Sequence, residues 1–406
     1  MALALLRSPY FFHELLTALL RNGLVGEERS ALVVYIVATS RVLAHPLSLF
    51  IKGPSGIGKN FLADMVFRLL PASEVHTLTS SSTRSWNYLG RKLAHKVVYV
   101  KERNEAAGPV HPTRLLISET ELVHWVTVKQ RGRFIQKRRV TKGPIASVST
   151  TTKDRVEVDD ETRHVSAWLD ETPEQTERIM QAAFVSERHL DKNELKLWHE
   201  VQRLIEKRAQ IPIEFPAWCQ GLVQLVRHDN LWARRYFRAF LQACKTAALI
   251  RCFRRDEARL KVEKRIEVRF TDLAVTALIF NPVFTQSIDR ADDEDLEVQR
   301  HVQLISDRKG GMPVRADDLS KKLDVSSDRA YSLLRKAVSA GTVRRANSPV
   351  KGNLKLYLPA EARSFLPEPE EILQQLKGLP GKVKFVHPLT GEWVVYHRRH
   401  PGGSTE

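Results

Sequence analysis

The sequence predicts an α/β protein whose core is a parallel sheet that carries a phosphate-binding loop. Two short and nearly all-apolar stretches, "LSLFIKG" and "HKVVYVKE", are typical of strands that are buried on both faces of such a sheet. The glycine-rich "GPSGIGKN" follows the first stretch and leads into the helical pattern of "NFLADMVFRLL". Strand, glycine loop and helix in this order form the context that makes a phosphate loop credible.

Composition and charge indicate a polyanionic partner. The chain has 406 residues, which is enough for two or three domains, and a formal net charge of +17. A basic balance of this size is typical of proteins that bind nucleic acid, although a merely soluble basic protein can have it too. We therefore expect DNA as a partner.

The cysteines and the hydropathy bear on the compartment. The chain has three cysteines, Cys219, Cys244 and Cys252, and they form no C-x-x-C pair, as expected of reduced thiols in a cytoplasmic protein. No segment has the roughly 20 uninterrupted apolar residues that a membrane-spanning helix requires. We expect a cytoplasmic protein with no membrane partner.

The elements of the amino-terminal half follow from periodicity. Residues 1–48 are predicted to be helical up to the first strand, with one helix ending at Gly23 and a second starting near Glu27. "GPIASVSTTT" is predicted to be a third buried strand. "LVHWVTVKQRGRFIQKRRV" alternates around Arg131-Gly132 and predicts a β-hairpin over residues 122–140.

The carboxy-terminal half reads as helices and a small separate module. Helices are predicted over "ETPEQTERIMQAAFVSERHL", residues 192–208 and "NLWARRYFRAFLQACKTAALIRCFRR", and the acidic "ADDEDL" marks a break. Residues 297–360 predict helix, turn, helix and two strands, the pattern of a winged helix. Such modules bind DNA or act as protein–protein adaptors, and both readings stay open. A final hairpin is predicted to turn at Thr390-Gly391.

The glycine loop is the first candidate site. It fits G-x-x-x-x-G-K from Gly53 to Lys59, in which backbone N–H groups cradle phosphate oxygens and the lysine reaches the β and γ phosphates. We expect ATP and Mg²⁺ as cofactors. Asn60 stands where a Ser or Thr hydroxyl usually binds Mg²⁺, and it can offer an amide oxygen or a water bridge. The residues predicted to bind the nucleotide here are Gly53, Ser55, Gly56, Gly58, Lys59 and Asn60.

An acidic strand end is the second candidate. "VVYVKE" ends in Lys101 and Glu102, where Asp-Glu is the common pattern. Glu102 is predicted to act as the general base that polarises the attacking water and, with Asn60, to contact the metal. Lys101 stands where a magnesium-linked Asp would be. The alternative is that Glu102 is an ordinary solvated acid at a strand end.

Polar and cationic residues downstream complete the predicted site. Thr150, Thr151 and Thr152 end the third strand, where a hydroxyl can bond the lytic water or the γ phosphate; Thr151 is our candidate, and a β-favouring threonine run is the alternative. Arg163 is a candidate arginine finger for a neighbouring subunit, or a surface arginine. Arg234 and Arg235 lie on a predicted helix from which one of them could touch the nucleotide of its own subunit.

Together these stretches resemble AAA+ ATPases related to the minichromosome-maintenance helicases, of the kind found in bacterial mobile elements beside or apart from primase domains. The resemblance covers roughly residues 20 to 255 and rests on six stretches: "GLVGEERSALVVYIVATSRVLAHPLSLFIKGPSGIGKNFL", "VVYVKERNEA", "LLISETELVHW", "GPIASVSTTT", "ETRHVSAWLDETPEQTERI" and "RRYFRAFLQACKTAAL".

The resemblance implies a domain order and a DNA-gripping element. The implied segments are residues 1–48 (helical), 49–185 (AAA+ phosphate-loop core), 186–290 (helical lid), 297–360 (winged helix) and 361–406 (hairpin and tail). The hairpin over 122–140 would point into a central pore and grip DNA. Its candidate DNA-binding residues are Lys129, Arg131, Arg133, Lys137 and Arg138, and a solvated charged hairpin is the alternative.

The resulting expectation is an ATP-dependent DNA motor, a helicase or translocase, for replication or mobilisation of a bacterial mobile element. It would self-associate into a ring or spiral, as a hexamer, and a primase or another replication protein of the element is a possible partner. The first alternative is an ATP-switched DNA-binding adaptor with weak hydrolysis, such as a helicase loader or transposition regulator. The second is a remnant ATPase that serves as a scaffold.

Overall fold

The computed structural model describes residues 1–78, 92–103, 110–119, 121–130, 133–153, 156–184, 191–228, 232–255, 257, 262–288, 293–340, 342–346, 355–359 and 364–398. The chain divides into two compact units. The larger comprises Met1–Phe284 and Leu366–Glu406, and the smaller comprises Thr285–Phe365. Each is described on its own below.

A five-stranded parallel sheet forms the centre of the larger unit. Its strands are β1 (Ser48–Lys52), β2 (Val75–Leu78), β3 (Lys96–Val100), β6 (Ile145–Thr151) and β7 (Val165–Trp168), in the order β2-β3-β6-β1-β7. All residues of β1 and β6 are buried, as expected of strands covered on both faces. The predicted α/β class with a parallel sheet is confirmed.

Two of these strands were not predicted. Both β2 and β7 are only four residues long, so neither offers enough alternation to be recognised from its sequence. The predicted strand over 95–102 is shorter than expected and ends at Val100, which leaves Lys101 and Glu102 in the turn that follows. Parallel pairing places the carboxyl ends of β1, β3 and β6 at one edge of the sheet.

Helices surround the sheet. Those up to residue 284 are α1 (Ala2–Arg7), α2 (Phe11–Arg21), α3 (Glu28–Thr39), α4 (Lys59–Phe67), α5 (Val110–Ser118), α6 (Val158–Glu161), α7 (Pro173–Ala182), α8 (Lys192–Arg208), α9 (Leu222–Leu225), α10 (Ala233–Arg251) and α11 (Phe270–Ile288), whose last four residues belong to the smaller unit. Ten of the twelve residues of α3 are buried, because this helix is apolar on nearly every side. Residues 1–48 are therefore part of the core of this unit and not a separate layer.

A long antiparallel hairpin extends from the sheet region. Its strands are β4 (Glu121–Gln130) and β5 (Arg133–Lys142), paired in continuous register from Glu121↔Lys142 to Gln130↔Arg133. The predicted hairpin is confirmed and is slightly longer than 122–140. Its expected turn at residues 131 and 132 lies outside the described residues. A further short pair joins β8 (Ile213–Glu214) and β9 (Ile266–Glu267) in parallel.

After the end of α11, the described residues of the smaller unit form three helices and a two-stranded sheet. Its helices are α12 (Asp293–Arg308), α13 (Ala316–Leu323) and α14 (Ser327–Ala340), and β10 (Val343–Ala346) pairs antiparallel with β11 (Leu356–Pro359). Val314 bridges Tyr357 as a short third strand. The unit extends beyond the predicted 297–360 at both ends, and the backbone N–H of Phe365, near its end, donates to the hydroxyl of Thr285, its first residue, at 2.9 Å.

The carboxy-terminal segment does not form a domain of its own. After α15 (Pro369–Gln375), β12 (Lys382–Val386) pairs antiparallel with β13 (Trp393–His397), so the last predicted hairpin is confirmed. The indole of Trp393 donates to the Tyr10 hydroxyl at 2.9 Å, and the Leu389 carbonyl lies 3.2 Å from a His13 ring nitrogen. This hairpin therefore packs on the amino-terminal helices. Among the helices of the described residues, none has the length and apolar character needed to cross a membrane.

Candidate nucleotide site

The glycine loop joins β1 to α4 and turns three times through backbone angles that favour glycine. Gly53, Gly56 and Gly58 have φ of +140°, +86° and +97°. A Cβ on Gly56 or Gly58 would meet no atom within 4 Å, so backbone conformation, not crowding inside the protein, requires glycine there. The loop thus presents open backbone immediately before a helix amino terminus, which is the geometry that binds phosphate. Ser55 lies exposed within it.

Lys59 is the first residue of α4 and folds back over the loop. Its Nζ donates to the Gly53 carbonyl at 2.5 Å and to the Pro54 carbonyl at 2.6 Å. Burial lowers the pKa of Lys59, whereas the nearby carboxylates of Glu102 and Glu171 act in the opposite direction. Glu171, which sequence analysis missed, lies beside the loop: its Oε1 is 3.7 Å from where a Cβ on Gly53 would stand.

Asn60 connects α4 to the two neighbouring strands. Its Oδ1 accepts from the Tyr99 hydroxyl at 3.0 Å and from the Thr150 hydroxyl at 2.9 Å. Two hydrogen bonds occupy both lone pairs of an amide oxygen, so Asn60 does not fit as a direct magnesium ligand in this arrangement. The only sequence signal for Tyr99 is a tyrosine within an otherwise aliphatic strand.

Glu102 is held in an unusual backbone conformation at the same edge. It has φ of +52°, a left-handed value that is uncommon for residues other than glycine and that is often found at functional sites. Its backbone N–H donates to the Thr150 hydroxyl at 2.9 Å, and the next residue, Arg103, donates its N–H to the Thr150 carbonyl at 2.8 Å. The Glu102 side chain is exposed, and its charge acts on Lys59 of the loop.

Lys101 does not act as a metal ligand, because its ammonium pairs with a carboxylate. Its Nζ pairs with Asp64 of α4 at 2.7 Å, and both side chains are partly exposed. The carboxylate nearest to the Lys101 ammonium therefore comes from α4, and the ion pair neutralises it. Sequence analysis missed Asp64, whose only signal is its place one turn after Asn60.

The structure distinguishes between the three threonines. Thr150 is fully buried and joins Glu102 to Asn60, as described above. The Thr151 hydroxyl accepts only from the backbone of Lys153, at 3.1 Å, in its own turn, and Thr152 is exposed. Side chains alternate along a strand, so Thr151, our sequence candidate, lies on the opposite face from Asn60. Of the three, Thr150 is therefore the one that contacts the helix that follows the loop.

A buried ionic network lies behind the loop. Asp160 is fully buried and accepts from Arg103 at 2.7 Å and from two nitrogens of Arg114 at 2.6 and 2.8 Å. Burial alone would raise the pKa of Asp160, but the bonds from Arg114 and the charge of Arg103 outweigh it, and the pKa lies below its usual value. The network thus fixes Arg103, which directly follows Glu102, to α5, which directly precedes the hairpin.

A second buried pair anchors the strand that carries the loop. Lys52 directly precedes Gly53. Its ammonium donates to Glu161 at 2.6 Å and lies 4.7 Å from the Trp168 ring centroid. His164 stacks on Phe50 of the same strand with ring centroids 4.1 Å apart. Burial and the Arg103 charge lower the pKa of His164 to about 3, so this ring stays neutral.

Two of the three candidate arginines, Arg163 and Arg235, lie together, away from the loop of their own chain. Arg163 and Arg235 line a cavity of about 660 Å³ that also touches Leu47, Ser48 and Val165, the amino-terminal ends of β1 and β7. At roughly 3.3 Å per residue, the four steps of β1 separate this edge from the loop by about 13 Å. Our expectation that Arg234 or Arg235 reaches the nucleotide of its own subunit is therefore not supported. Arg235 instead bonds the Thr162 hydroxyl, and Arg234 is exposed.

The hairpin cations are exposed along the ribbon. Lys129, Arg133, Lys137 and Arg138 all have exposed side chains, whereas Arg131 lies outside the described residues. Among the described residues, no group of three His, Cys, Asp or Glu side chains could hold a metal ion. Comparison with protein-family models and with curated proteins finds no match for this chain.

Proposed function

We propose that this protein is an ATPase of the AAA+ class that acts as a motor on DNA. One observation carries the proposal. The glycine loop with Lys59 lies at the carboxyl end of β1, and the next two strands of the sheet end just after Thr150 and just before Glu102. The backbone of Glu102 bonds the Thr150 hydroxyl, and this hydroxyl bonds Asn60 of α4, the helix that follows the loop. A phosphate cradle and an exposed carboxylate held at the same edge of a parallel sheet are the parts that nucleoside triphosphate hydrolysis requires.

The chemistry follows from these positions. The triphosphate binds the loop N–H groups, and its terminal phosphates draw the Lys59 ammonium away from the Gly53 and Pro54 carbonyls. Glu102 accepts the proton of the attacking water, and the hydrogen bond from its backbone N–H to the Thr150 hydroxyl fixes the backbone that carries this carboxylate. Magnesium enters as part of the nucleotide substrate, with Asn60 ordering the strand ends.

Self-association explains the place of the two arginines. Arg163 and Arg235 stand about one strand length from the loop of their own chain and line one cavity together. In a ring or spiral, this edge of one subunit faces the loop of the next, so both arginines serve the neighbour's nucleotide. We expect a ring of six subunits, and the contacts between subunits determine that number.

DNA is the proposed track. The exposed cations of the hairpin supply phosphate contacts, and the helices and two-stranded sheet of Thr285–Phe365 resemble a winged helix, a module that binds DNA or protein. Replication or mobilisation of a bacterial mobile element, with a primase as a separate chain, is the proposed setting.

The test is ATP hydrolysis with and without DNA. Lys59→Ala is expected to abolish turnover because it removes the cation at the loop, whereas Lys196→Ala, an exposed lysine on α8, serves as the matched control and keeps wild-type turnover. A Lys59→Ala protein with wild-type turnover would remove the loop assignment.

An ATP-switched adaptor is the second candidate, because Asn60 and Lys101 both depart from the usual magnesium shell. A strand-displacement assay on a forked duplex separates the two. A motor separates the strands in an ATP-dependent way, whereas an adaptor binds DNA and hydrolyses ATP slowly without separating them.

A further inference from the structure

We propose that the hairpin binds single-stranded DNA by stacking bases on Trp125 and Phe134, a proposal that rests on the DNA motor function above. The strand register puts both rings on one face. Residues directly opposite each other in an antiparallel pair point to the same side, and Trp125 is opposite Arg138 while Phe134 is opposite Lys129. Trp125 and Lys129 are four residues apart on β4, so both pairs share that side.

Both rings are largely exposed to solvent, so they add little to the packing of the hairpin itself. Trp125 is 59% exposed and Phe134 is 75% exposed. Two large aromatic side chains that lie on one face of a ribbon and are left exposed by the described part of the chain offer surface that a binding partner can cover. Their flat rings suit a partner that also has flat, apolar faces.

The charge around the rings selects the class of partner. Each aromatic residue has a cation directly opposite it, and the Lys129 ammonium lies 6.0 Å from the Phe134 ring centroid. Within residues 121–130 and 133–142 the only acidic residue is Glu121, at the base, where it pairs with Lys142. A partner must therefore combine negative charge with planar apolar groups, which is the chemistry of single-stranded nucleic acid.

Duplex DNA does not meet the same requirement, because its bases are stacked on each other and only their edges face the grooves. A single strand presents base faces and phosphates together. Trp125 and Phe134 are separated by four residues along the ribbon, or about 13 Å. Four nucleotide steps of a stacked strand cover that distance at roughly 3.4 Å each. The structure thus predicts a contact of about five nucleotides on this face.

The experiment compares the full-length protein on two oligomers of equal length and charge, one of thymidylate and one of abasic deoxyribose phosphate. The wild type is expected to bind the thymidylate strand more tightly. Trp125→Ala and Phe134→Ala are each expected to weaken thymidylate binding by roughly 5- to 150-fold, the range of one base stack, and to leave abasic binding unchanged. Trp125→Phe keeps a ring and is expected to restore most of the loss.

Two control variants define the face and the charge. Ile135→Ala lies on the opposite face of the ribbon and is expected to change neither affinity. Arg138→Ala is expected to weaken the binding of both oligomers and to reduce the salt dependence of both affinities. Truncation of either aromatic residue removes little packing, since both are more than half exposed.

The outcomes separate this inference from the DNA motor proposal. If the wild type binds neither oligomer, the DNA function fails and this inference fails with it. If the wild type binds both oligomers equally and neither alanine variant changes their ratio, only the stacking inference is overturned. A variant that loses both affinities to the same degree, with a changed oligomeric state, would show that the rings contact another subunit and would overturn it too.

Discussion

Thr150→Val is the substitution that tests the candidate site most directly. It keeps the volume and the β-branched shape of a fully buried side chain but removes the hydroxyl that links Glu102 to Asn60. Two hydrogen bonds are lost, and at about 0.5–1.5 kcal/mol each the free energy of unfolding is expected to fall by about 1–3 kcal/mol. At about 2.1 cal/mol/K of unfolding entropy per residue, that loss lowers the melting temperature of this 406-residue chain by roughly 1–4 °C.

The same substitution is expected to slow hydrolysis. The lost hydrogen bonds keep Glu102 in the left-handed backbone conformation from which it acts as the base. If their whole free energy is lost in the transition state, kcat falls by roughly 5- to 150-fold. KM changes little, because the phosphate loop is intact. Steady-state ATP turnover at saturating DNA measures kcat, and nucleotide titration measures KM.

Thr151→Val is the matched control, one residue along the same strand. Its hydroxyl bonds only the backbone of the exposed residue Lys153, where water can replace it. We expect near wild-type kcat and melting temperature. Equal damage from the two substitutions, or none from Thr150→Val, would refute the assignment of Thr150 as the link between the carboxylate and the loop.

Glu102→Gln is expected to keep ATP binding and to slow hydrolysis strongly, since an amide accepts no proton; unchanged turnover places the base elsewhere. Mixing Arg163→Ala with Lys59→Ala subunits is expected to restore some activity, because composite sites form between subunits; no recovery in confirmed mixed assemblies argues against an arginine that acts in trans. Removing three hairpin cations is expected to lower the log-affinity versus log-salt slope by about 2.7 for duplex and about 2 for single strands; a constant slope excludes these phosphate contacts. The three are Arg133, Lys137 and Arg138. Because the pKa of buried His164 is about 3 in the folded state against the ordinary 6.5, the unfolded chain binds that proton first as pH falls through 6.5, and stability drops by about 1.4 kcal/mol per pH unit. His164→Gln is expected to reduce the loss of melting temperature between about pH 7 and about pH 5; a variant as acid-sensitive as the wild type would contradict this.

Local patterns in the sequence were enough for the parts of the site that lie on one continuous segment. The loop from Gly53 to Lys59 needs positive φ at fixed spacings, and only glycine adopts such angles without strain, so its residues identify it. The hairpin could also be predicted, because two stretches rich in β-branched and aromatic residues flank Arg131-Gly132, a pair typical of a turn. The buried strands β1, β3 and β6 followed from their apolar runs.

Only the tertiary structure decided which side chains meet. The choice of Thr150 over Thr151 depends on the face of β6 that packs against α4, and one residue reverses that face. Arg234 or Arg235 was expected at the nucleotide of its own subunit, but α10, which carries both, lies at the amino-terminal edge of β1 and β7, a placement that no helical periodicity encodes. The Arg103–Asp160–Arg114 network joins residues 57 and 46 positions apart, and such pairings follow from the long-range order of strands, which a local pattern of charges does not contain.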